Sequence, residues 1–263
     1  MQGDGGDLFA FGEDEGGNLL PAIRRDWIRY NARHEAIVWH YYLDVKGLVT
    51  IGVGNLVDPL APALAVRMIA PDGNLATPEQ ITKEWAYVKR DERAKDWRFA
   101  TRLTALRLHP GELIRLVDRQ LDVNDSHLAK RFPQFRSWPA DAQFAIHSLS
   151  WATGPGFNFP KLDAALRAGD FLTASKEVDI NEPGTAGRNA DNRALLIAAS
   201  TAPAGSRELT IQLKLAASVP PVPPPGDLAG GKSPGPGGEG GGGIVVGLGI
   251  CAILALLAKG SRR

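Results

Sequence analysis

An α+β fold, mostly helical, is predicted from three observations. One stretch near residue 50 alternates apolar and polar residues with period two, capped helical patterning fills most of the remainder, and Pro and Gly cut the helices to ordinary lengths. A small lobe containing a β-hairpin, packed against a larger helical lobe, accommodates all three. At 263 residues the chain suffices for one good-sized domain with appendages, or for two small domains. The lone cysteine, Cys251, excludes an intramolecular disulfide and a thiolate metal site.

Residues 1–20 read as an acidic, Gly-rich leader. Asp4, Asp7, Glu13, Asp14 and Glu15 stand there without Lys or Arg, so the remainder carries an excess of six positive charges within a net charge of +1. A mildly basic body suits an anionic polymer; nucleic acid is not expected as the partner. No basic n-region and apolar h-region precede the body, so no secretory signal is readable.

A folded body is expected over 21–217. Ile23, Trp27, Tyr30 and His34 recur at helical spacing after Pro21, predicting a first helix that ends at Glu35. Val49, Ile51 and Val53 then alternate with Thr50, Gly52 and Gly54, and Lys46-Gly47 offers a turn, so Tyr41–Leu56 reads as a hairpin or small sheet. Thr77-Pro78-Glu79-Gln80 supplies an N-cap and N1 proline for a helix to about Arg98. Pro110-Gly111 precedes a helix over Glu112–Lys130. Another spans Asp141–Thr153 and stops at Gly154-Pro155-Gly156. Further helices are expected at Lys161–Ala168, Phe171–Asp179 and Asn192–Thr201, and a short helix or strand at 207–217.

Residues 218–243 have the composition of a linker, semi-rigid in its Pro part and flexible in its Gly part. Ile244–Ala258 follows without a charge, and Lys259, Arg262 and Arg263 close the chain. As a hydrophobic helix that run spans about 22 Å, or about 27 Å with the preceding glycines, against roughly 30 Å of bilayer hydrocarbon. A membrane-spanning segment with snorkelling basic residues is expected; a surface-lying helix or a docking tail are the other readings.

The candidate chemistry lies between His34 and Leu56. Glu35 closes the first expected helix, Asp44 follows nine residues later on the hairpin, and Thr50 six beyond that. Glycoside hydrolysis needs two carboxyl groups, one to protonate the leaving oxygen and one to activate water or attack the sugar. Ile37, Val38 and Trp39 can supply the apolar wall that keeps an acid protonated. His34 and His40 are six apart, about 240° around a helix, which excludes the H-E-x-x-H zinc arrangement. No metal or other cofactor is expected. Gly231-Lys232-Ser233 matches a phosphate-loop ending only by chance.

Glu35, Asp44 and Thr50-Ile51-Gly52-Val53-Gly54 together resemble the bacteriophage muramidases, glycoside hydrolase family 24. Ala142–Gly154 looks like that family's buried central helix, and Gly187–Arg193 like its late arginine segment, so the resemblance runs over roughly 21–205. Asn55 stands where many members have His, and Ala36 where Gly is frequent. The resemblance implies a lysozyme-like fold and inverting hydrolysis of the β-1,4 bond between N-acetylmuramic acid and N-acetylglucosamine in peptidoglycan. Glu35 would be the general acid, Asp44 would direct the attacking water and Thr50 would hold it. Arg193 in first place, or Arg188, would pair with Glu35. Trp39, Tyr41 and Tyr42 suit either sugar stacking or core packing. With the apolar tail, these expectations describe an enzyme acting at the cell envelope. The rival readings are a membrane-anchored wall-binding protein with a relic carboxylate pair, a lytic transglycosylase, and a membrane-disrupting tail assisted by an enzyme.

Overall fold

The computed structural model describes residues 19–225, of which about half are helical, the strands forming small antiparallel sheets. The acidic leader up to residue 18, the Gly-rich part of the linker, Ile244–Ala258 and the basic tail lie outside the described residues. Among the described residues no helix is long and apolar enough to cross a membrane. Two compact units are present. One comprises Asn31–Val117 with residues 216–225; the other comprises residues 19–30 and Asp118–Leu215.

The first unit is built on a three-stranded antiparallel sheet. Its strands β1 (Val38–Leu43), β2 (Val49–Gly52) and β3 (Asn55–Leu56) lie in the order β1-β2-β3. Period-two patterning usually marks a sheet with one wet face. Here every residue of β1 and β2 is buried. Helices from later in the chain explain this, since α3 (Pro78–Arg90) and α4 (Trp97–Leu103) both pack on β1. A short helix α2 (Leu60–Leu64) and a two-stranded sheet of β4 (Met68–Ile69) and β5 (Arg107–Leu108) complete this unit.

The expected helix to Arg98 is interrupted. Thr77 does form a capping box with Gln80, but α3 ends at Arg90. Asp91 turns out of the helix, and its carboxylate accepts the Arg93 amide at 3.0 Å, starting a 3-10 turn over Glu92–Lys95. Asp96 then caps α4 through the Arg98 amide at 3.0 Å. Two aspartates offering local acceptors thus compete with the continuous helix and win.

The second unit is helical. The long helix α5 (Pro110–Arg131) begins in the first unit and contributes its residues from Asp118 onward here. With it come α1 (Pro21–Asn31), α6 (Ala140–Thr153), α7 (Pro160–Ala168), α8 (Phe171–Glu177) and α9 (Ala186–Ala199). Helix α6 is buried on every side from Ala140 to Ala152, the condition of a helix at the centre of a core. It packs on α9, which packs on α8, which packs on α7. Around it, Phe144 meets Trp27 at 5.2 Å and Tyr30 at 4.9 Å between ring centroids. Leu19 and Leu20 are buried, so the fold begins inside the segment expected as leader.

Helix α9 starts six residues ahead of the expected Asn192, and residues 207–217 form neither helix nor strand. The latter stretch is held by side chains instead: Asp141 accepts from the Thr210 amide and hydroxyl at 3.0–3.1 Å, and the Ala140 amide donates to the Ser206 carbonyl at 2.8 Å.

Truncating the core aromatic at the centre of this cluster, Phe144→Ala, is expected to cost about 3–5 kcal/mol. A urea melt followed by circular dichroism measures it, and a loss under 1 kcal/mol would show that the cluster is not a packed core.

Candidate active site

The candidate residues Glu35, Trp39, Tyr42, Asp44 and Thr50 all belong to the first unit. Helix α1 ends at Asn31 rather than at Glu35. The Asn31 carbonyl accepts both the His34 and the Glu35 amides at 2.8 Å, so a closing turn delivers Glu35 to the loop before β1. Glu35 is buried, 9 % exposed, which sets its carboxyl group in an environment poor in water.

Asp44 ends β1 and organises the turn that follows. Its Oδ1 accepts the Lys46 and Leu48 amides, both at 2.8 Å, while its own amide donates to the Leu48 carbonyl at 2.9 Å. These bonds hold the carboxylate in one orientation. Oδ2 takes no hydrogen bond among the described residues. Thr50 stands opposite Tyr42 in the β1–β2 register. Its hydroxyl donates to the Leu48 carbonyl at 3.1 Å, so it offers lone pairs to any further partner.

The strand joining the two carboxylates is not straight. Val38 faces Gly52 and Tyr42 faces Thr50, so four steps along β1 match only two along β2. Extra residues on one strand bend it and re-aim its side chains. The bulge lies in the strand between Glu35, before β1, and Asp44, after it.

The Thr50–Gly54 segment has a geometric reason for its glycines. Gly52 has φ +68° and Gly54 φ +75°, the left-handed region that side chains disfavour. A Cβ on Gly52 would also lie 2.8 Å from Asn55 Oδ1, which accepts the Val53 amide at 3.2 Å. Asn55 is therefore structural here, closing the turn between β2 and β3.

Two residues that the sequence did not single out hold the Asp44 turn from outside. Lys89 Nζ on α3 donates to Asp58 Oδ2 at 2.7 Å and to the Gly47 carbonyl at 2.8 Å. Asp58 Oδ2 also accepts the Val49 amide at 3.0 Å. A single ion pair thereby grips both sides of the turn. Only the late position of Lys89 in a helix facing the sheet reveals this, and no local motif signals it.

Behind the sheet lies a buried polar cluster. Glu84 accepts the Ala105 amide at 2.6 Å and the Leu106 amide at 3.0 Å. Burial pushes the Glu84 carboxyl from 4.5 up to about 7, against those amides and the nearby Arg107 charge. His40 Nε2 lies 2.8 Å from the Trp97 carbonyl, to which it donates, and 3.1 Å from the Thr101 hydroxyl. Burial lowers its imidazole from 6.5 to about 4, the Trp97 bond opposing and Arg107 adding to the shift. Burial, with Glu84 close by, pushes the Tyr41 hydroxyl upward. Tyr41 is thus a core residue. His34 and His40 serve no common site, and no group of three or more metal-ligating side chains occurs among the described residues.

The expected aromatic platforms are covered. Trp39 is 2 % and Tyr42 7 % exposed, and the Trp39 indole donates to the Pro220 carbonyl at 3.1 Å. The two arginines belong to the second unit. Arg193, the first choice for Glu35, is instead engaged by Asp179: Nε and Nη2 donate to its two carboxylate oxygens at 2.7 and 2.6 Å, with both side chains 46 % exposed. Its place on the outer side of α9 explains this. Arg188 is buried and donates to the Ser148 carbonyl at 3.4 Å and hydroxyl at 3.3 Å on α6. Tyr30 bonds the same hydroxyl at 2.9 Å. Of the two, Arg188 is the one held inside.

Compared with known protein families and with curated proteins, the chain matches none.

The cluster makes a stability prediction with a definite sign. Glu84, whose folded value lies above 4.5, contributes stability below that pH that is lost as pH rises toward about 7. His40 runs the other way, its contribution being lost as pH falls from 6.5 toward about 4. Glu84→Gln removes only the first. Its stability relative to wild type, from denaturant melts between pH 4.5 and 7, is expected to rise with pH; a constant difference contradicts the assignment.

Proposed function

We propose that this chain is a peptidoglycan-cleaving muramidase that hydrolyses the β-1,4 bond between N-acetylmuramic acid and N-acetylglucosamine. One observation carries the reading: Glu35, Asp44 and Thr50 sit at the spacing of the phage-type enzymes, around one hairpin, with the Asp44 turn held by its own carboxylate. A lysozyme-like pairing of a small hairpin lobe with a larger helical lobe is part of the same proposal.

In this reading Glu35 donates its proton to the glycosidic oxygen as the bond to the anomeric carbon breaks. Glu35 is 9 % exposed, largely withdrawn from bulk water. Water attacks the opposite face of the sugar and gives its proton to Asp44 Oδ2, the oxygen not used by the turn. Thr50, whose hydroxyl proton goes to Leu48, accepts from that water and orients it. Attack from the far side inverts the anomeric configuration, and an inverting pair leaves about 6.5–9.5 Å between carboxyl groups for the water. Of the two arginines that the resemblance implies, Arg193 first and Arg188 second, Asp179 engages Arg193 at the surface and Arg188 is buried. Action at the cell envelope, with Ile244–Ala258 as the membrane contact, belongs to the same proposal.

Digestion of purified peptidoglycan followed by mass analysis of the fragments tests it. Wild type is expected to release reducing ends with one water added per cut. Glu35→Gln is expected to lose about 10²–10⁴-fold in rate, with Asp44→Asn also strongly impaired. Full activity in Glu35→Gln ends the proposal, anhydro products with an active Asp44→Ala point to a transglycosylase, and binding without cleavage by wild type points to a relic site.

A further inference from the structure

Composition reads residues 219–225, Val-Pro-Pro-Val-Pro-Pro-Pro, as the start of a spacer. In the structure this segment accepts three hydrogen bonds from β1 and β5 of the first unit, to which it belongs. The Trp39 indole on β1 donates to the Pro220 carbonyl at 3.1 Å. Arg107 on β5 donates from Nε to the Pro223 carbonyl at 3.2 Å and from Nη2 to the Pro224 carbonyl at 2.6 Å.

Three features make this a built site. First, the donors are fixed. Arg107 is 3 % exposed, its Nη1 is held by the Thr104 and Leu106 carbonyls at 3.1 and 2.8 Å, and its Nη2 also reaches the Thr101 carbonyl at 3.4 Å, so the guanidinium is fixed in place. Second, the spacing suits a polyproline strand. Such a strand has three residues per turn, which brings Pro220 and Pro223 to the same edge. Third, the acceptors are unusually available. Proline has no amide hydrogen and a fixed φ, so consecutive prolines form neither helix nor sheet and their carbonyls stay open at little entropic cost. Aromatic side chains lining a groove are a general means of docking a preformed polyproline segment.

We propose that Trp39 and Arg107 form a polyproline-docking site whose resident occupant is this chain's own segment 219–225. Docking fixes Pro225, the residue that precedes the remaining 38, on the unit that bears Glu35 and Asp44. It also gives Trp39 a role in place of sugar stacking: its one polar atom faces the C-terminal segment. The inference does not depend on the chemistry proposed above, since it concerns only who occupies Trp39 and Arg107.

The test uses the full chain. A nitroxide label is attached at Val222→Cys, an exposed position, in a Cys251→Ser background. The label is expected to be immobilised in the parent. Its rotation is expected to quicken several-fold in Trp39→Phe, which keeps an aromatic side chain but removes the indole N–H. A second variant replaces Pro220, Pro221, Pro223, Pro224 and Pro225 by Ser and so frees the site without touching the core. The synthetic heptapeptide Val-Pro-Pro-Val-Pro-Pro-Pro, followed by calorimetry, is expected to bind that variant at least about ten-fold more tightly than wild type, where the site is filled. This margin corresponds to one decade in the dissociation constant. A label equally mobile in the parent and in Trp39→Phe, or a peptide that binds neither protein, overturns the proposal.

Discussion

The ion pair between Asp58 and Lys89 is the constraint on which the hairpin unit depends. It joins three segments at one point: the second residue after β3, the last turn of α3, and the β1–β2 turn through the Gly47 carbonyl and the Val49 amide. The Asp58 side chain is 12 % exposed and that of Lys89 33 %. A pair this far from water repays its desolvation only if further hydrogen bonds satisfy the remaining donors and acceptors. Here the backbone of the turn supplies them. The turn therefore cannot move without leaving a charge unsatisfied, and the Asp44 carboxylate inherits that rigidity.

A second layer of control comes from the helices packed on β1. Glu84, His40, Tyr41 and Arg107 sit where β1, α3, α4 and β5 meet, and each is buried. Their polar atoms bind backbone amides and carbonyls more than one another: Glu84 takes two amides and Arg107 donates to a ring of carbonyls. Such groups make a core specific, because any shift of β5 against α3 strands a polar atom away from water. They also connect the strand between the two candidate carboxylates to the proline segment, since Arg107 holds both the loop before β5 and residues 223–224.

In the helical unit the constraint is steric. Helix α6 is enclosed, so its small residues Ala142, Ala145, Ser148 and Ala152 let neighbouring elements approach while Phe144, Ile146, Leu149 and Trp151 fill the space between. Charges at the edge are paired: buried Asp125 with the partly exposed Arg136 at 2.6 Å, and Arg131 with Asp163 at 2.5 Å. His147, buried on α6, is kept toward its neutral form by burial, opposed by Asp125. Arg188 enters this core beside Ser148, whereas Arg193, further along α9, does not.

By itself the sequence determined what rests on local chemistry. The period-two stretch, the Thr77 cap and the Pro-Gly breaks each act within a few residues, and the sheet and most helices followed from them. The spacing of Glu35, Asp44 and Thr50 was legible for the same reason. Only the tertiary structure decided what depends on residues far apart in the chain. Aspartates 91 and 96 broke the long helix by capping locally, yet whether they would outweigh helix propensity hung on α4 having β1 to pack against. Burial of both sheet faces, the grip of Lys89 on the Asp44 turn, the inward course of Arg188 and the outward course of Arg193, and the docking of the proline segment on Trp39 all pair groups separated by tens of residues or more. Periodicity carries no record of such pairings, because they are chosen by which surfaces must leave water together and which polar atoms must then find partners.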